Sequence, residues 1–176
     1  HRITEIVTKL LQFAKPQEYV GFVEDYAPAD VIADTLPLVQ HLFKKAMITV
    51  AREDRALRLV RMNRTELQQV LVNLIVNAIH AMPQGGRLGL STADADRDGV
   101  EGAAIDISDT GAGMTAEVMA RILDSFFTTK SREGTGLGLS ISQMLIAQQG
   151  GEITVRSAPN EGTTFTVWLP ATEDIF

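Results

Sequence analysis

The sequence contains no cysteine, which removes disulfides, thiolate-held zinc and a cysteine nucleophile and fits a reducing compartment without requiring one. No apolar run approaches the roughly 20 residues that cross a bilayer, and no positively charged leader with a cleavage site precedes the first elements, so a soluble chain is expected. The chain begins with His1 and not methionine; a partial or processed chain is expected from that, with room for a membrane anchor upstream in the parent protein. Nor is there a basic block. Lys and Arg number 16 against 22 Asp and Glu, scattered throughout, and the net charge of -6 gives no electrostatic reason to expect nucleic acid as a partner. Internal repeats and low-complexity segments are also lacking. What is present is 176 residues, 45% of them hydrophobic, enough for one ordinary core with or without an appendage.

Along the chain, Ile3, Ile6, Val7, Leu10, Leu11 and Ala14 recur at steps of three, four and one, the pattern of an amphipathic helix that stops before Pro16. A single helix cannot bury its own stripe, so this face is expected on the main domain or on another helix. A short strand is predicted within Tyr19–Pro28, then a helix over Ala29–Ala46, interrupted or bent near Pro37. Ile48–Val50 and Leu57–Arg61 read as a hairpin across the polar turn "AREDRA". Asn63 or Thr65 suits the cap of a long helix reaching Met82, ended by "PQGG". Leu88–Thr92 and Ala103–Ser108 alternate as strands; Asp109–Gly138 reads as a functional lid; Leu137–Gln149 is a helix closed by Gly150 and Gly151. Glu152–Ser157 and Thr163–Leu169 finish as a strand pair around "APNEG". This order predicts a two-layer α/β sandwich.

The long helix raises the functional question. At roughly 100° per residue, Asn73, Asn77 and His80 fall within about 60° of one another, on a helix otherwise made of Leu, Ile, Val, Ala and Met. Glu66 and Gln69 extend the line. A buried amide left unpaired costs on the order of 1–3 kcal/mol, so the line requires partners, whether backbone, water or a ligand. Three further stretches bear on it. "DTGAGM" follows a strand, so Asp109 emerges at a strand end while Gly111 and Gly113 permit close backbone approach. "FFTTK" sets Lys130 beside aromatic residues. "GTGLGLS" places Gly134, Gly136 and Gly138 at a helix entrance, where free N–H groups favour an anion such as phosphate. These glycines do not follow a strand, as a dinucleotide fingerprint demands, and no Gly-Lys-Ser/Thr triplet marks a P-loop.

Taken in order, "NLIVNAIHA", "DISDTGAGM", "SFFTTK" and "GTGLGLS" resemble the N, G1, F and G2 boxes of the ATP-binding catalytic domain of sensor histidine kinases, and "GTTFTVWLP" is similar to its last strand. The resemblance covers about Tyr19 to Pro170. It implies the sandwich shared with gyrase, heat-shock chaperone and mismatch-repair ATPases: a mixed sheet packed on about three helices with a mobile ATP lid, here with an N-terminal helix. Residues 1–16 would be the end of a dimerisation and phosphoacceptor helix, and 17–172 the ATP-binding catalytic domain.

The implied ligands are ATP and Mg²⁺. Asn77 resembles the asparagine whose oxygen reaches Mg²⁺, and Asn73 would lie beside that ion and its waters. His80 stands where a polar side chain reaches phosphate, with Ala81 next to it. Asp109 resembles the adenine reader; Gly111, Gly113 and Met114 would shape the base pocket, with Thr163 near adenine. Phe127, Thr128 and Lys130 belong to the F box, Lys130 pairing with the terminal phosphates. Gly134, Thr135, Gly136, Leu137, Gly138 and Leu139 would fold over the nucleotide. Asn73, Asn77 and Lys130 are the expected catalytic residues.

Gyrase-like relatives carry a glutamate where this chain has Asn73, and an amide cannot act as general base on water, so slow hydrolysis is expected. The resemblance therefore implies transfer of the γ-phosphoryl to a histidine on helices absent from this chain. His1 and His41 lack the neighbouring acid and proline of a phosphoacceptor, and Asp124 and Ser125 depart from the usual F box. The implied partners are phosphoacceptor helices, a response regulator and, in the full-length protein, a second copy. The domain itself would be cytoplasmic, with room for a membrane anchor in its parent. Competing readings are an ATP-hydrolysing protein of the same fold, a non-catalytic interaction module and a serine kinase of the anti-sigma type.

Overall fold

A computed structural model describes residues 23–123 and 135–172, without the side chains of residues 123 and 135–138. The expected helix over Ile3–Phe13 and the F box lie outside the described residues. Seven strands and four helices follow in the order β1 (Glu24–Tyr26), α1 (Pro28–Ala46), β2 (Ile48–Asp54), β3 (Val60–Met62), α2 (Arg64–His80), β4 (Gly86–Asp94), β5 (Gly102–Asp109), α3 (Ala116–Leu123), α4 (Thr135–Ala147), β6 (Glu152–Ser157) and β7 (Thr163–Pro170). No helix among the described residues is long and apolar enough to cross a membrane.

The main sheet has five strands in the order β2-β4-β5-β7-β6. β2 runs parallel to β4 and the other pairs are antiparallel, so the expected mixed sheet is present. Alternation along β4, β5 and β7 puts Leu88, Leu90, Ile105, Ile107, Phe165 and Val167 on the buried face. The register lines them up in rows: Leu90 lies opposite Ile107, which lies opposite Phe165. α1, α2 and α4 cover the sheet, α2 packing between the other two and onto β5. This is the two-layer sandwich.

The helices follow from their sequences. α1 buries Val31, Ile32, Thr35, Val39, Leu42 and Phe43 at helical spacing. It passes through Pro37 without interruption, because Pro37 and Ala33, whose carbonyl loses its N–H partner, are both exposed and water can take that bond. Met47 closes the helix in the left-handed region at φ 61°. α2 begins at Asn63, whose side chain accepts a hydrogen bond from the Glu66 N–H at 3.0 Å. It buries Leu67, Val70, Leu71, Leu74, Ile75 and Ile79. At roughly 2 kcal/mol for each fully buried aliphatic side chain, this packing keeps the helix in place despite its polar line.

The expected hairpin of Ile48–Val50 with Leu57–Arg61 is not formed. β2 absorbs "ARED" and pairs with β4, while β3 pairs with β1 in a separate two-stranded sheet. The turn between them is instead fastened sideways: the Leu57 and Arg58 N–H groups both donate to Asp94 Oδ1 at 3.0 Å. Both partners of the misassigned strands lie far away in sequence, beyond the reach of a local pattern.

Candidate nucleotide site

The polar line of α2 is graded. Asn73 is buried, 3% exposed, whereas Asn77 and His80 are half-buried, so the seam opens towards the C-terminal end of the helix. Asn73 Nδ2 donates to Ser142 Oγ on α4 at 3.3 Å. The Asn77 side-chain amide has no hydrogen bond within the described structure. Its backbone carbonyl accepts from the Ala81 N–H that ends the helix. Glu66 lies in the first turn of α2, about 10 Å along the axis from Asn73.

The loop after β5 meets this helix end. Gly111 sits so close to Ala81 that a Cβ there would overlap the Ala81 carbonyl oxygen. Gly113 has φ +73°, and a Cβ on it would strike the carbonyl of Ala158 in the turn between β6 and β7. Around these contacts the backbone is tied by hydrogen bonds. Asn160 N–H donates to Ala112 O at 2.6 Å, and Met114 N–H donates to Ser157 Oγ at 2.8 Å. Ser157 Oγ also lies 2.8 Å from Thr163 Oγ1 and donates to Gly162 O at 3.0 Å.

Asp109 stands at the centre of that loop, 8% exposed. Its Oδ1 accepts from Gly111 N–H at 2.8 Å and Thr163 N–H at 3.2 Å. Oδ2 has no partner among the described residues and is free to accept a hydrogen bond from a ligand. Burial pushes the Asp109 carboxyl above the ordinary aspartate value, with the two backbone donors opposing that shift. Asp109 is thus a desolvated acceptor held by main chain.

Several expected site residues therefore come together. Ala81 meets Gly111; Asp109 meets Thr163 and Gly111; Met114 joins the turn before Thr163; and Asn73 reaches α4. Thr135, Gly136, Leu137 and Gly138 form the first turn of α4. Leu139 is buried at 3% exposure within the core. Phe127, Thr128, Lys130 and Gly134 lie outside the described residues. The sequence reading missed Ser142 and Ser157. Ser142 is fully buried on an apolar helix, and the argument applied to the asparagines of α2 finds it equally well. Ser157 gives no such signal, because its partners come together only when β6 and β7 pair.

The residues able to touch a cation here are neutral. Among the described residues no group of three or more His, Cys, Asp or Glu could hold a metal ion. A hard divalent cation that keeps water and takes most of its oxygens from phosphate fits one unbonded amide such as Asn77. The donor set suits Mg²⁺ accompanied by a nucleotide and not a metal bound by protein alone.

Comparison with known proteins identifies the family. Residues 62–173 match the family model of the histidine kinase-, DNA gyrase B-, and HSP90-like ATPase. The chain is 35% identical over 170 residues to the sensor histidine kinase ZraS of Salmonella typhi, covering 96% of this chain and 35% of ZraS. It spans about a third or less of the length of the curated relatives it matches. Among solved structures, the nucleotide-free catalytic domain of histidine kinase ThkA superposes with a TM-score of 0.73 at 28% identity, covering 85% of this chain and 96% of that one. Full-length ShkA in complex with AMPPNP gives 0.72 at 25% identity, over 86% of this chain and 32% of ShkA. The chain belongs to the histidine kinase-, DNA gyrase B- and HSP90-like ATPase family, as a nucleotide-binding catalytic domain of the sensor histidine kinase type.

Proposed function

We propose that this chain binds Mg²⁺-ATP and delivers its γ-phosphoryl to a histidine on phosphoacceptor helices outside residues 1–176. The observation that carries the reading is Asp109, whose Oδ1 is occupied by two main-chain N–H groups while Oδ2 remains an acceptor. Such a group suits the exocyclic amine of adenine. Gly111, Gly113, Met114 and Thr163 then form the walls beside the base, and Asn73, Asn77, His80 and Ala81 lie along the phosphates. That the similar structure of ShkA is a complex with AMPPNP supports nucleotide binding.

In this reading Asn77 Oδ1 is the protein ligand for Mg²⁺, and the chemistry that ion supplies is neutralisation of charge on the phosphates. Lys130 pairs with the terminal phosphates, while Phe127, Thr128, Gly134, Thr135, Gly136, Leu137 and Gly138 belong to the cover over them; Leu139 is part of the core and not of that cover. Asn73 cannot take a proton from water, so hydrolysis is slow and the γ-phosphoryl is kept for imidazole. The acceptor nitrogen bonds to phosphorus, the bridging bond to ADP breaks with its electrons on ADP, and the imidazole loses its proton to solvent. Residues 1–16 are read as the end of the dimerisation hairpin and 17–172 as the catalytic domain. A response regulator and a second copy of the full-length kinase are the proposed partners.

Calorimetric titration with ATP, with and without Mg²⁺, tests the site. Asn77→Ala is expected to remove the Mg²⁺-dependent gain, on the order of tenfold to a hundredfold in affinity. An unchanged gain in that variant would overturn the metal assignment. Labelled ATP supplied with separately expressed phosphoacceptor helices tests the reaction: label on histidine supports it, whereas steady ATP turnover without label transfer favours a hydrolase.

A further inference from the structure

Among the described residues, one side-chain hydrogen bond joins α2 to α4: Asn73 Nδ2 to Ser142 Oγ at 3.3 Å. Both ends are buried, Asn73 at 3% exposure and Ser142 at 0%. On α4 its buried neighbours Leu139, Leu145 and Ile146 are aliphatic, and an alanine at Ser142 would keep that packing without a hydroxyl to satisfy. A helical serine can turn its own proton to the carbonyl one turn back, which leaves its oxygen as an acceptor.

We propose, resting on the Mg²⁺-ATP reading above, that Ser142 is a positioning residue acting through Asn73. A carboxamide is planar, with oxygen and nitrogen on opposite sides of its carbon. By accepting from Nδ2, Ser142 fixes which way the amide faces and keeps Oδ1 on the side away from α4. Asn73 thereby presents an acceptor, not a mixture of acceptor and donor, to the cation's waters and the phosphates. Among the described residues, no hydrogen bond joins Ser142 to the residues around Asp109. Loss of the Ser142 hydroxyl therefore weakens the phosphate end of the nucleotide and spares the base end.

The test compares two probes on the whole chain by calorimetry: ATP with Mg²⁺, and ADP in EDTA. Ser142→Ala is expected to weaken Mg²⁺-ATP about tenfold while ADP in EDTA stays within about twofold. In an Asn73→Ala background, adding Ser142→Ala is expected to change Mg²⁺-ATP affinity by less than about twofold, because the route through Asn73 is already gone. Equal losses for both probes, the same loss with and without Asn73, or no loss at all would each overturn the proposal. Should Ser142→Ala fail to fold, Ser142→Cys fills the site with a weak acceptor and reads the same split. Failure of the underlying reading looks different: the unaltered chain would then show no Mg²⁺-dependent gain in ATP affinity.

Discussion

The two ends of the five-stranded sheet are fastened by different chemistry. At the end where β4 and β7 finish, arginines do the fastening. Arg58 reaches Asp96 at 2.7 Å, Glu101 at 3.1 Å and Gly102 O at 3.0 Å; Arg61 holds Asp25; Arg64 pairs with Asp34; Arg97 pairs with Glu152. At the opposite end, where β5 delivers Asp109, the ties are hydroxyls and main-chain N–H groups. Ser108 Oγ lies 2.7 Å from Thr164 Oγ1, the Arg87 N–H donates to Thr110 Oγ1 at 3.0 Å, and Ser157 links three backbone segments. Arg121–Glu117 on α3 is the one ion pair near that end among the described residues. Fixed ion pairs beside a triphosphate would compete for it or repel it, whereas neutral dipoles can orient it without either effect. The two ends thus differ in the kind of tie, ion pairs at one and neutral dipoles at the other.

Substitutions can break that division. The largest effect is expected from Gly113→Ala, which combines a left-handed backbone with overlap onto the Ala158 carbonyl. Stability should fall by about 3 kcal/mol, read from urea denaturation, and ATP binding should be lost with it. Asp109→Asn comes next and separates the two properties. Its amide oxygen can still take both N–H groups, but a donor then replaces Oδ2, so ATP affinity should drop on the order of 100-fold while the fold persists. The pH dependence sharpens this. Burial raises the folded-state pKa of Asp109 above its unfolded value, so the folded chain takes up that proton first. As pH falls through the window between the two values, Asp109 becomes less destabilising; as pH rises through it, that relief is lost. The urea midpoint of the unaltered chain should therefore gain on that of Asp109→Asn as pH falls towards the ordinary aspartate value.

Arg58→Ala tests the other end. A fall in melting temperature of a few degrees is expected, smaller in high salt, with nucleotide affinity unchanged. An altered affinity would show that the two ends are coupled. The smallest effect is expected from Tyr26→Phe. The Tyr26 hydroxyl is buried with no hydrogen-bond partner among the described residues, and burial pushes its pKa up. Removing it should raise stability by about 1 kcal/mol and leave Arg64, 5.3 Å over the ring, in place.

How much was legible depended on sequence distance. The cap at Asn63, the burial of α2, the strands β4 and β5 and the pairing of β6 with β7 were readable, because each carries a local signal or joins neighbouring strands; the nearness of Asp109 to Thr163, 54 residues apart, was implied only by the family resemblance. The parallel pairing of β2 with β4 was not readable, since alternation marks a strand but names no partner. Of the interruption or bend expected near Pro37, no interruption occurs, since propensity says nothing about which face of a helix meets water. Ser142 carries the same signal as the asparagines of α2, a polar side chain on an apolar helix; only its partner was out of reach, because Asn73 meets it when α4 packs on α2.

Trp168 is the only tryptophan in the chain, and it belongs to the arginine-held end. Its Nε1–H donates to Ala95 O at 2.8 Å, and the Arg97 guanidinium lies 5.8 Å over its ring. The molecule therefore carries a built-in optical reporter of unfolding that stands at the other end of the sheet from Asp109. Its emission should follow denaturation faithfully and stay silent during titration with ATP, so that any change of signal on adding ligand would register motion transmitted along the strands.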